Sequence, residues 1–242
     1  MEKRELLFEG NEKRVFATDD PTLVIFGYKD VMLAFNGIKR AVLRGKGELS
    51  NAISALLLDR LNQEGVNTHF VRRIGAREQL CRKIEIIPLE LSVRNRLAGP
   101  MAERLGVADG TTVPCTVFDL RYNNDELGDP FLSDTHALAL GLVSKADLKQ
   151  MYTIAERSNK ILRSLFHQAG IELVDMKIEF GRAADTGEII ISDELSPDTC
   201  RLWDERDGRR LDKDRFRLDM GDVVAAYREV FERLSAVVEA KG

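Results

Sequence analysis

Charged and apolar residues alternate in residues 171–180 of the sequence. Side chains alternate between the two faces of a strand, so Asp175, Lys177 and Glu179 would share one face while Met176 and Ile178 point to the other. Charged groups on one face are costly to bury unless they have partners. The segment therefore predicts either an exposed strand with a ladder of salt bridges or one wall of a polar site.

A second acidic strand follows closely. Residues 188–192 read as a strand joined to the first by a turn at residues 183–187, and Asp193 comes directly after it. A hairpin of this kind places Asp193 close to Glu179, where the two carboxylates repel each other unless a cation lies between them. Mg²⁺ prefers hard oxygen ligands and is commonly shared with substrate phosphates. The pattern predicts a metal–nucleotide site with Glu179 and Asp193 as the metal ligands.

Three further segments carry charged or hydrogen-bonding groups. Residues 196–204 combine a turn-forming cluster with Arg201 and the single tryptophan. That segment fits an exposed turn, or an arginine that grips a phosphate or carboxylate with paired hydrogen bonds. Residues 86–99 place Glu90 and Arg94 on one face of a strand. Residues 211–217 alternate in charge, which is typical of a solvated face.

The elements that must position these residues begin as strands and continue as mixed structure. Short apolar or β-branched runs separated by turn residues predict strands in the first third of the chain, and apolar periodicity predicts helices elsewhere. The predicted strands are residues 6–9, 14–18, 22–28, 68–74, 79–87, 89–96 and 117–122, besides the two acidic strands described above, and the predicted helices are residues 48–63, 145–170 and 222–238. Ser144 and Asp147 have the spacing of a capping box at the start of the middle helix.

This order of elements predicts an α+β fold. We expect an antiparallel N-terminal sheet lobe over residues 1–85 and a larger mixed α/β lobe over residues 86–242. The chain has 242 residues, a length that suits two small lobes that share a cleft.

Composition excludes several classes of protein. The formal net charge is -4 and the pI about 5.6, which argues against a dedicated nucleic-acid binder. The three cysteines, at positions 81, 115 and 200, are scattered and form no metal-binding or disulfide pattern. No apolar stretch approaches the roughly 18 residues of a membrane span, and the N-terminus lacks the apolar core of a signal peptide. A cytoplasmic protein without nucleic-acid or membrane partners is expected.

Taken together, four blocks of the sequence resemble the phosphoribosylaminoimidazole-succinocarboxamide synthase (SAICAR synthase) family. The family's Leu-Val-Asp-x-Lys-x-Glu-Phe-Gly block stands at residues 173–181, and its Asp-Glu-x-Ser-Pro-Asp-Ser-x-Arg-x-Trp block at residues 193–203, with Thr199 in place of the usual serine. Its Pro-x-Glu…Arg…Ala-Gly block stands at residues 88–99, and its Leu-Asp-Lys-Asp-x-Phe-Arg stretch at residues 211–217. The blocks occur in the family's order.

The resemblance implies an ATP- and Mg²⁺-dependent ligase with an ATP cleft between its lobes. In the family's reaction, ATP phosphorylates the carboxylate of an aminoimidazole ribonucleotide, and the amine of aspartate then attacks the acyl phosphate. It implies catalytic roles for Glu90, Asp175 and Lys177. It implies an ATP site with metal ligands Glu179 and Asp193 and further contacts from Gly10, Lys13, Val15, Lys83, Ile86 and Ile87. It implies a substrate site with Asn36, Arg94, Asp198, Arg201, Lys213 and Arg217. A homo-oligomer is the expected assembly.

The sequence departs from the family where substrate and phosphates are expected to bind. The family's Gly-Lys-x-Lys loop reads Gly-Asn-Glu-Lys at residues 10–13, so a cation is replaced by Asn11 and an anion appears as Glu12. Pro100 replaces a serine whose hydroxyl and N–H would both donate to a phosphate, and Asn123 replaces a lysine. Val31, Met32 and Leu33 stand where small, polar or acidic residues are usual, and Asn36 replaces an aspartate found in many members.

These departures leave alternatives open. A sister ligase would keep the acyl-phosphate chemistry and use a different carboxylic acid. A non-catalytic nucleotide-binding protein would fit the altered loop at residues 10–13, although the intact acids and Lys177 argue against it. A protein-kinase-like phosphotransferase is disfavoured because the sequence has no His-Arg-Asp loop.

Overall fold

The computed structural model describes residues 2–35 and 37–240, without the side chain of Asp125. Its strands are β1 Lys3–Glu9, β2 Lys13–Thr18, β3 Leu23–Tyr28, β4 Val31–Ala34, β5 Lys39–Val42, β6 Phe70–Arg73, β7 Glu78–Arg82, β8 Ile84–Leu97, β9 Thr111–Tyr122, β10 Phe131–Leu132, β11 Ile171–Ala183, β12 Ile189–Ser192 and β13 Cys200–Asp204. Its α-helices are α1 Lys46–Gln63, α2 Pro100–Leu105, α3 Asp134–Ala139, α4 Lys145–Gln168, α5 Asp214–Arg217 and α6 Val223–Glu239.

Two antiparallel sheets organise the molecule. The first has the strand order β1-β2-β3-β7-β6, and the second has the order β10-β9-β8-β11-β12, with β13 also paired to β11. A small hairpin of β4 and β5 stands apart from both sheets. The α+β architecture expected from the order of elements is therefore present. The division at residues 85 and 86 stays a proposal, although the chain passes from the first sheet to the second between Arg82 and Ile84.

The second sheet has an apolar face and a polar face, and the alternation of residues along β8 shows why. Leu89, Leu91 and Val93 are fully buried and belong to the main hydrophobic core, together with residues of α1 and α4. The residues between them, Glu90, Ser92 and Arg94 among others, point the opposite way. Each buried leucine contributes about 1.5–3 kcal/mol, so the helices hold the sheet while its other face stays available for polar groups.

Local sequence signals fix the ends of the longest helix. Ser144 caps α4 by accepting a hydrogen bond from the N–H of Asp147, and the Asp147 side chain accepts one from the N–H of Ser144. This confirms the predicted capping box. Within the described residues, no helix is both long enough and apolar enough to cross a membrane.

The sequence predicted one continuous strand over residues 79–87. This prediction is wrong, because these residues belong to two strands, β7 and β8, which lie in different sheets. The Lys83 N–H donates to the carbonyl of Thr22, 2.7 Å away, where the chain leaves the first sheet. The prediction that a strand starts after Pro88 is also wrong, since Pro88 lies inside β8. The pairing of β8 with β11 shifts between Glu179 and Phe180, and this bulge accommodates a residue that has no N–H to donate.

Candidate active site

An interruption in the strand order creates the candidate site. The C-terminal half of β11 pairs with β12, and its N-terminal half pairs with β13. Residues 193–199, which connect β12 to β13, therefore lie outside the sheet beside the middle of β11. Asp193 begins this departure with a positive φ of 60°, a conformation that aspartate tolerates better than most residues. The departing segment carries Asp193, Glu194 and Asp198. It is largely buried, so the alternative of an exposed turn at residues 196–199 is wrong.

The polar face of the second sheet arranges charged residues in rows across β9, β8 and β11. Antiparallel register sets residues of neighbouring strands directly opposite each other, within reach of their side chains. The rows are Arg121–Glu90–Glu179, Asp119–Ser92–Lys177 and Val117–Arg94–Asp175. The predicted face with Asp175, Lys177 and Glu179 is therefore one strand of a wider polar surface, not an isolated exposed ladder.

Two arginines hold Asp175 at one end of this surface. Oδ2 of Asp175 accepts from Nη1 of Arg94 at 2.9 Å and from Nη1 of Arg201 at 2.8 Å. Each arginine has a second carboxylate partner, Asp119 for Arg94 and Asp214 for Arg201. Burial opposes the charged form of Arg201, but Asp175 and Asp214 raise its pKa above the ordinary value. These arginines are thus fixed in place as a paired cationic corner.

Gly99 lets Arg201 reach that corner. A Cβ at Gly99 would lie 2.6 Å from Nη2 of Arg201, and the backbone there has a positive φ of 55°. Pro100 follows as the first residue of α2, where its missing N–H leaves no helical hydrogen bond unmade. The departure at position 100 is therefore well accommodated by the fold.

Lys177 and Glu90 form an ion pair in the middle of the surface. The Lys177 ammonium lies 2.9 Å from Oε2 of Glu90, and the Lys177 side chain is partly exposed. Oε1 of Glu90 is buried and has no protein hydrogen-bond partner. One carboxylate oxygen of Glu90 therefore makes no hydrogen bond within the protein.

Lys13 and three acids form the densest cluster of charge. Lys13 pairs with Asp193 and lies 3.2 Å from Glu194. Burial disfavours its charged form, but the two acids raise the pKa of Lys13 well above its usual value. Burial, followed by the negative charge of Asp193, raises the pKa of Glu179 from 4.5 to about 8. A single lysine does not balance these carboxylates, so the cluster attracts a further cation.

A buried lysine occupies the neighbouring acidic cluster. Glu12, Glu194 and Asp198 bring carboxylate oxygens within 4.8 Å of one another. Lys46, whose side chain is 2% exposed, pairs with Asp198 and lies 3.9 Å from Glu12. Burial opposes ionisation of Asp198, yet Lys46 lowers its pKa to about 2, and the Tyr227 hydroxyl donates to it at 2.6 Å. An ammonium group thus supplies the cation that these acids need.

Glu12 lines the cleft and contacts two lysines. Its Oε1 accepts from the Lys213 ammonium at 3.0 Å. This contact joins the β1–β2 turn to the segment before α5. The anion that distinguishes the loop is therefore balanced by Lys213 and Lys46.

One cleft between the two sheets is lined by Glu12, Glu179, Asp193, Lys13 and Lys213. Its volume is about 760 Å³, and its walls come from the β1–β2 turn, the β4–β5 hairpin, the loop after β9 and the polar face. Of the predicted residues, it is lined by Gly10, Lys13, Glu179, Asp193, Lys213 and Arg217. A smaller adjoining cavity is lined by Arg94, Asp175, Lys177, Asp198 and Arg201, and Arg217 borders both.

The remaining predicted residues lie at the edges of this site or outside it. Ile86 is 63% exposed and Ile87 is buried, at the start of β8. Lys83 is exposed beside them, and Val15 is half-buried on β2. None of these four lines the cleft. Asn36 lies outside the described residues.

Several charged residues of the site were not identified from the sequence as functional. They are Glu12, Lys46, Asp119, Arg121 and Glu194. The sequence could have indicated Glu194, because it directly follows Asp193 in the block at residues 193–203. Lys46 and Arg121 carry no local signal, because each is brought to the site by partners distant in sequence.

Comparison with known proteins identifies relatives over almost the whole chain. The family model described as SAICAR synthetase matches residues 6–234. A phosphoribosylaminoimidazole-succinocarboxamide synthase of Clostridium botulinum (strain Okra / Type B1) is 51% identical over 235 residues, which cover 97% of this chain and 100% of that protein.

Solved structures agree in fold. The crystal structure of the phosphoribosylaminoimidazole-succinocarboxamide synthase from Ehrlichia chaffeensis matches with a TM-score of 0.93 and 43% identity, over 96% of this chain and 99% of that one. A SAICAR synthetase in complex with ADP matches with a TM-score of 0.92 and 40% identity, over 96% and 98% of the two chains.

The raised pKa of Glu179 predicts that cation binding releases a proton. A carboxyl group with a pKa of about 8 is mostly protonated at pH 7 and must ionise to hold a cation. The affinity for Mg²⁺ with ADP should therefore rise about tenfold per pH unit below pH 8 and level off above it. Calorimetry in buffers of different ionisation enthalpy measures the protons released. Glu179→Gln should lose this proton release. An equal release in both proteins would show that Glu179 is not the group that ionises when the cation binds.

Lys46 should be essential to stability because it balances a buried charge. Lys46→Met leaves Asp198 without its cation, which should lower the free energy of unfolding by about 3–5 kcal/mol. Urea denaturation followed by circular dichroism measures it. Lys160→Met is the matched control, since that side chain is 73% exposed in a surface pair with Glu156 and should change stability by less than about 0.5 kcal/mol. Equal effects of the two substitutions would show that the buried pair is not stabilising.

Proposed function

The chain belongs to the SAICAR synthetase family, and from this membership we propose that it joins aspartate to carboxyaminoimidazole ribonucleotide in purine biosynthesis, as an ATP-dependent ligase. One observation carries the assignment of the site. Glu179, Asp193 and Lys13 meet in a single cleft between the sheets, and the Lys177–Glu90 pair lies next to it. A phosphoryl donor and its acceptor could therefore meet over the polar face.

ATP is assigned to the side of the cleft formed by the first sheet. Gly10 and Lys13 contribute to its wall, and Lys13 is the cation suited to the phosphates. The exposed Ile86 beside the buried Ile87 offers an apolar surface for the adenine, with Val15 and Lys83 as further contacts. A relative of the same fold has been solved in complex with ADP, which supports an adenine nucleotide as the ligand.

The carboxylates Glu179 and Asp193 fit Mg²⁺. They are hard oxygen donors, and burial followed by the negative charge of Asp193 raises the pKa of Glu179, so a cation bound between the two carboxylates would favour their charged forms. Mg²⁺ held there would offset charge on the transferring phosphoryl group.

The acid substrate is assigned to the corner formed by Arg94 and Arg201. Paired guanidinium groups suit a phosphate, and Asp175 fixes both arginines. Lys213 and Arg217 border the cleft from α5 and the segment before it and add positive charge. Asp198, which lines the smaller cavity and pairs with Lys46, and Asn36 keep their predicted roles in substrate binding.

The reaction proceeds over the Lys177–Glu90 pair. A carboxylate oxygen of the acid attacks the γ-phosphorus, the bond to the oxygen bridging to the β-phosphorus breaks, and ADP leaves. The amine of aspartate then attacks the acyl carbon, and phosphate leaves with the electron pair of the broken C–O bond. Glu90 accepts the proton of the amine on Oε1, which has no protein partner, while Lys177 holds the other oxygen.

A sister ligase acting on another acid is the second candidate, and Pro100 is the observation in its favour, since a phosphate-binding serine is replaced there. A panel of acids with ATP, Mg²⁺ and aspartate separates the two, with ADP release as the signal. Turnover of carboxyaminoimidazole ribonucleotide supports the purine ligase, turnover of other acids alone supports the sister ligase, and ATP binding without turnover supports a non-catalytic protein. A homo-oligomer and a cytoplasmic location stay predictions.

Glu179→Gln should reduce ADP formation by at least about a hundredfold, because it removes a metal ligand that stabilises charge on the phosphoryl group. Glu172→Gln is the control, since Glu172 lies on the same strand and pairs with Arg96 away from the cleft. That variant should retain activity, and both should keep the wild-type circular dichroism spectrum. Wild-type turnover by Glu179→Gln would refute the assigned metal site.

A further inference from the structure

Arg121 lies in the row of the polar face that ends at Glu179. On β9 it is opposite Glu90 on one side and opposite Phe131 of β10 on the other. Glu90 is in turn opposite Glu179. Arg121 therefore lies in the same row as the residues to which phosphoryl transfer is assigned, and any role for it in the reaction rests on that proposed function.

The guanidinium group of Arg121 is held in place without a carboxylate. It lies 3.8 Å from the centre of the Phe131 ring, and Nη1 donates to the carbonyl of Asp129 at 3.1 Å. Arg104 approaches the same ring, at 4.1 Å. Because Asp129 lines the cleft, Arg121 is fixed beside the cleft before any ligand arrives, which favours binding.

Unlike its neighbours, Arg121 has hydrogen-bonding capacity to spare. Arg94 and Arg201 each pair with two carboxylates, whereas Arg121 pairs with none among the described side chains. Its Nε is buried without a protein acceptor, and Oε1 of Glu90, across the strands, is buried without a protein donor. Burial lowers the pKa of Arg121, and Arg94 adds to this effect while Glu90 opposes it. The positive charge is incompletely balanced by the protein.

Arg121 also accounts for a departure from the family sequence. The lysine expected at position 123 is Asn123 here, and Arg121 stands two residues earlier. Residues two apart on a strand share a face, and the Asn123 N–H still donates to the Pro88 carbonyl of β8 at 3.1 Å. Arg121 thus supplies a positive charge close to the position where the family's lysine is expected.

We propose that Arg121 binds the carboxylate of the acid substrate, the group that receives the phosphoryl group from ATP. The two Nη atoms of one guanidinium each carry two N–H groups, and an N–H from each forms a fork that matches the two oxygens of a carboxylate. The phosphate corner at Arg94 lies two rows away, roughly 13 Å along the strand. One substrate can thus place its phosphate at Arg94 and Arg201 and its carboxylate at Arg121.

Steady-state kinetics of the full chain test this role. Arg121→Gln should raise the KM for the acid by about tenfold or more, as expected for loss of a hydrogen bond to a charged group, and should change the KM for ATP by less than about twofold. Arg104→Gln is the matched control, because Arg104 approaches the same ring from an exposed position. It should leave both constants nearly unchanged.

A double variant that moves the positive charge from position 121 to position 123 distinguishes a role in binding from a purely structural role. In Arg121→Gln/Asn123→Lys the cation returns to position 123, and the KM for the acid should fall at least partway back. A residue that only holds Phe131 and Asp129 would not be replaced by a lysine at position 123. Failure of this rescue, or an unchanged KM for the acid in Arg121→Gln, overturns the proposal.

Measurements on the wild-type enzyme distinguish a failure of the proposed function from a failure of the proposed role of Arg121. If the wild type does not use carboxyaminoimidazole ribonucleotide but uses another acid of the panel, the proposed substrate is wrong, and the same comparison of KM values is made with that acid. If the wild type turns over an acid and Arg121→Gln matches it, Arg121 alone is wrong. A wild type that binds no carboxylic acid in calorimetry overturns both.

Discussion

The close grouping of Glu179, Asp193 and Glu194 around Lys13 is the interaction on which the site depends. Carboxylates in a largely buried place repel each other and lose hydration, and one ammonium group compensates only part of this cost. The consequence is visible in Glu179, whose pKa is raised to about 8. A cleft with this charge distribution favours a divalent cation together with a phosphate-bearing ligand, because each offsets the charge of the other.

The fold accommodates this cluster because the two faces of the second sheet have different roles. One face packs on α1 and α4 and supplies the apolar burial that stabilises the domain. The other face carries the charged rows, in which antiparallel register sets most charges beside an opposite one. The groups left incompletely balanced, Glu179, Oε1 of Glu90 and Arg121, are those assigned to the reaction. Stability and chemistry therefore come from alternate residues of the same strands.

The structure shows how the protein accommodates three departures from the family sequence, at positions 12, 100 and 123. Glu12 lines the cleft, but its charge is balanced by Lys213 and Lys46. Pro100 occupies a helix position that needs no N–H, and the charge absent from Asn123 has a counterpart at Arg121. The fold of this chain accommodates such exchanges because charge balance depends on where a charged group ends, not on which residue carries it.

The sequence by itself determined the α+β fold, the capping box of α4, the shared face of Asp175, Lys177 and Glu179, and the family. These features arise from periodicity within a strand or helix and from contiguous blocks, which are local properties of the chain. Only the tertiary structure decided that Pro88 lies inside β8, that residues 196–199 are buried, and that Lys46, Glu12 and Arg121 belong to the site. Their partners lie up to 201 residues away in sequence, and no local pattern encodes which strands pair or which side chain balances a buried charge.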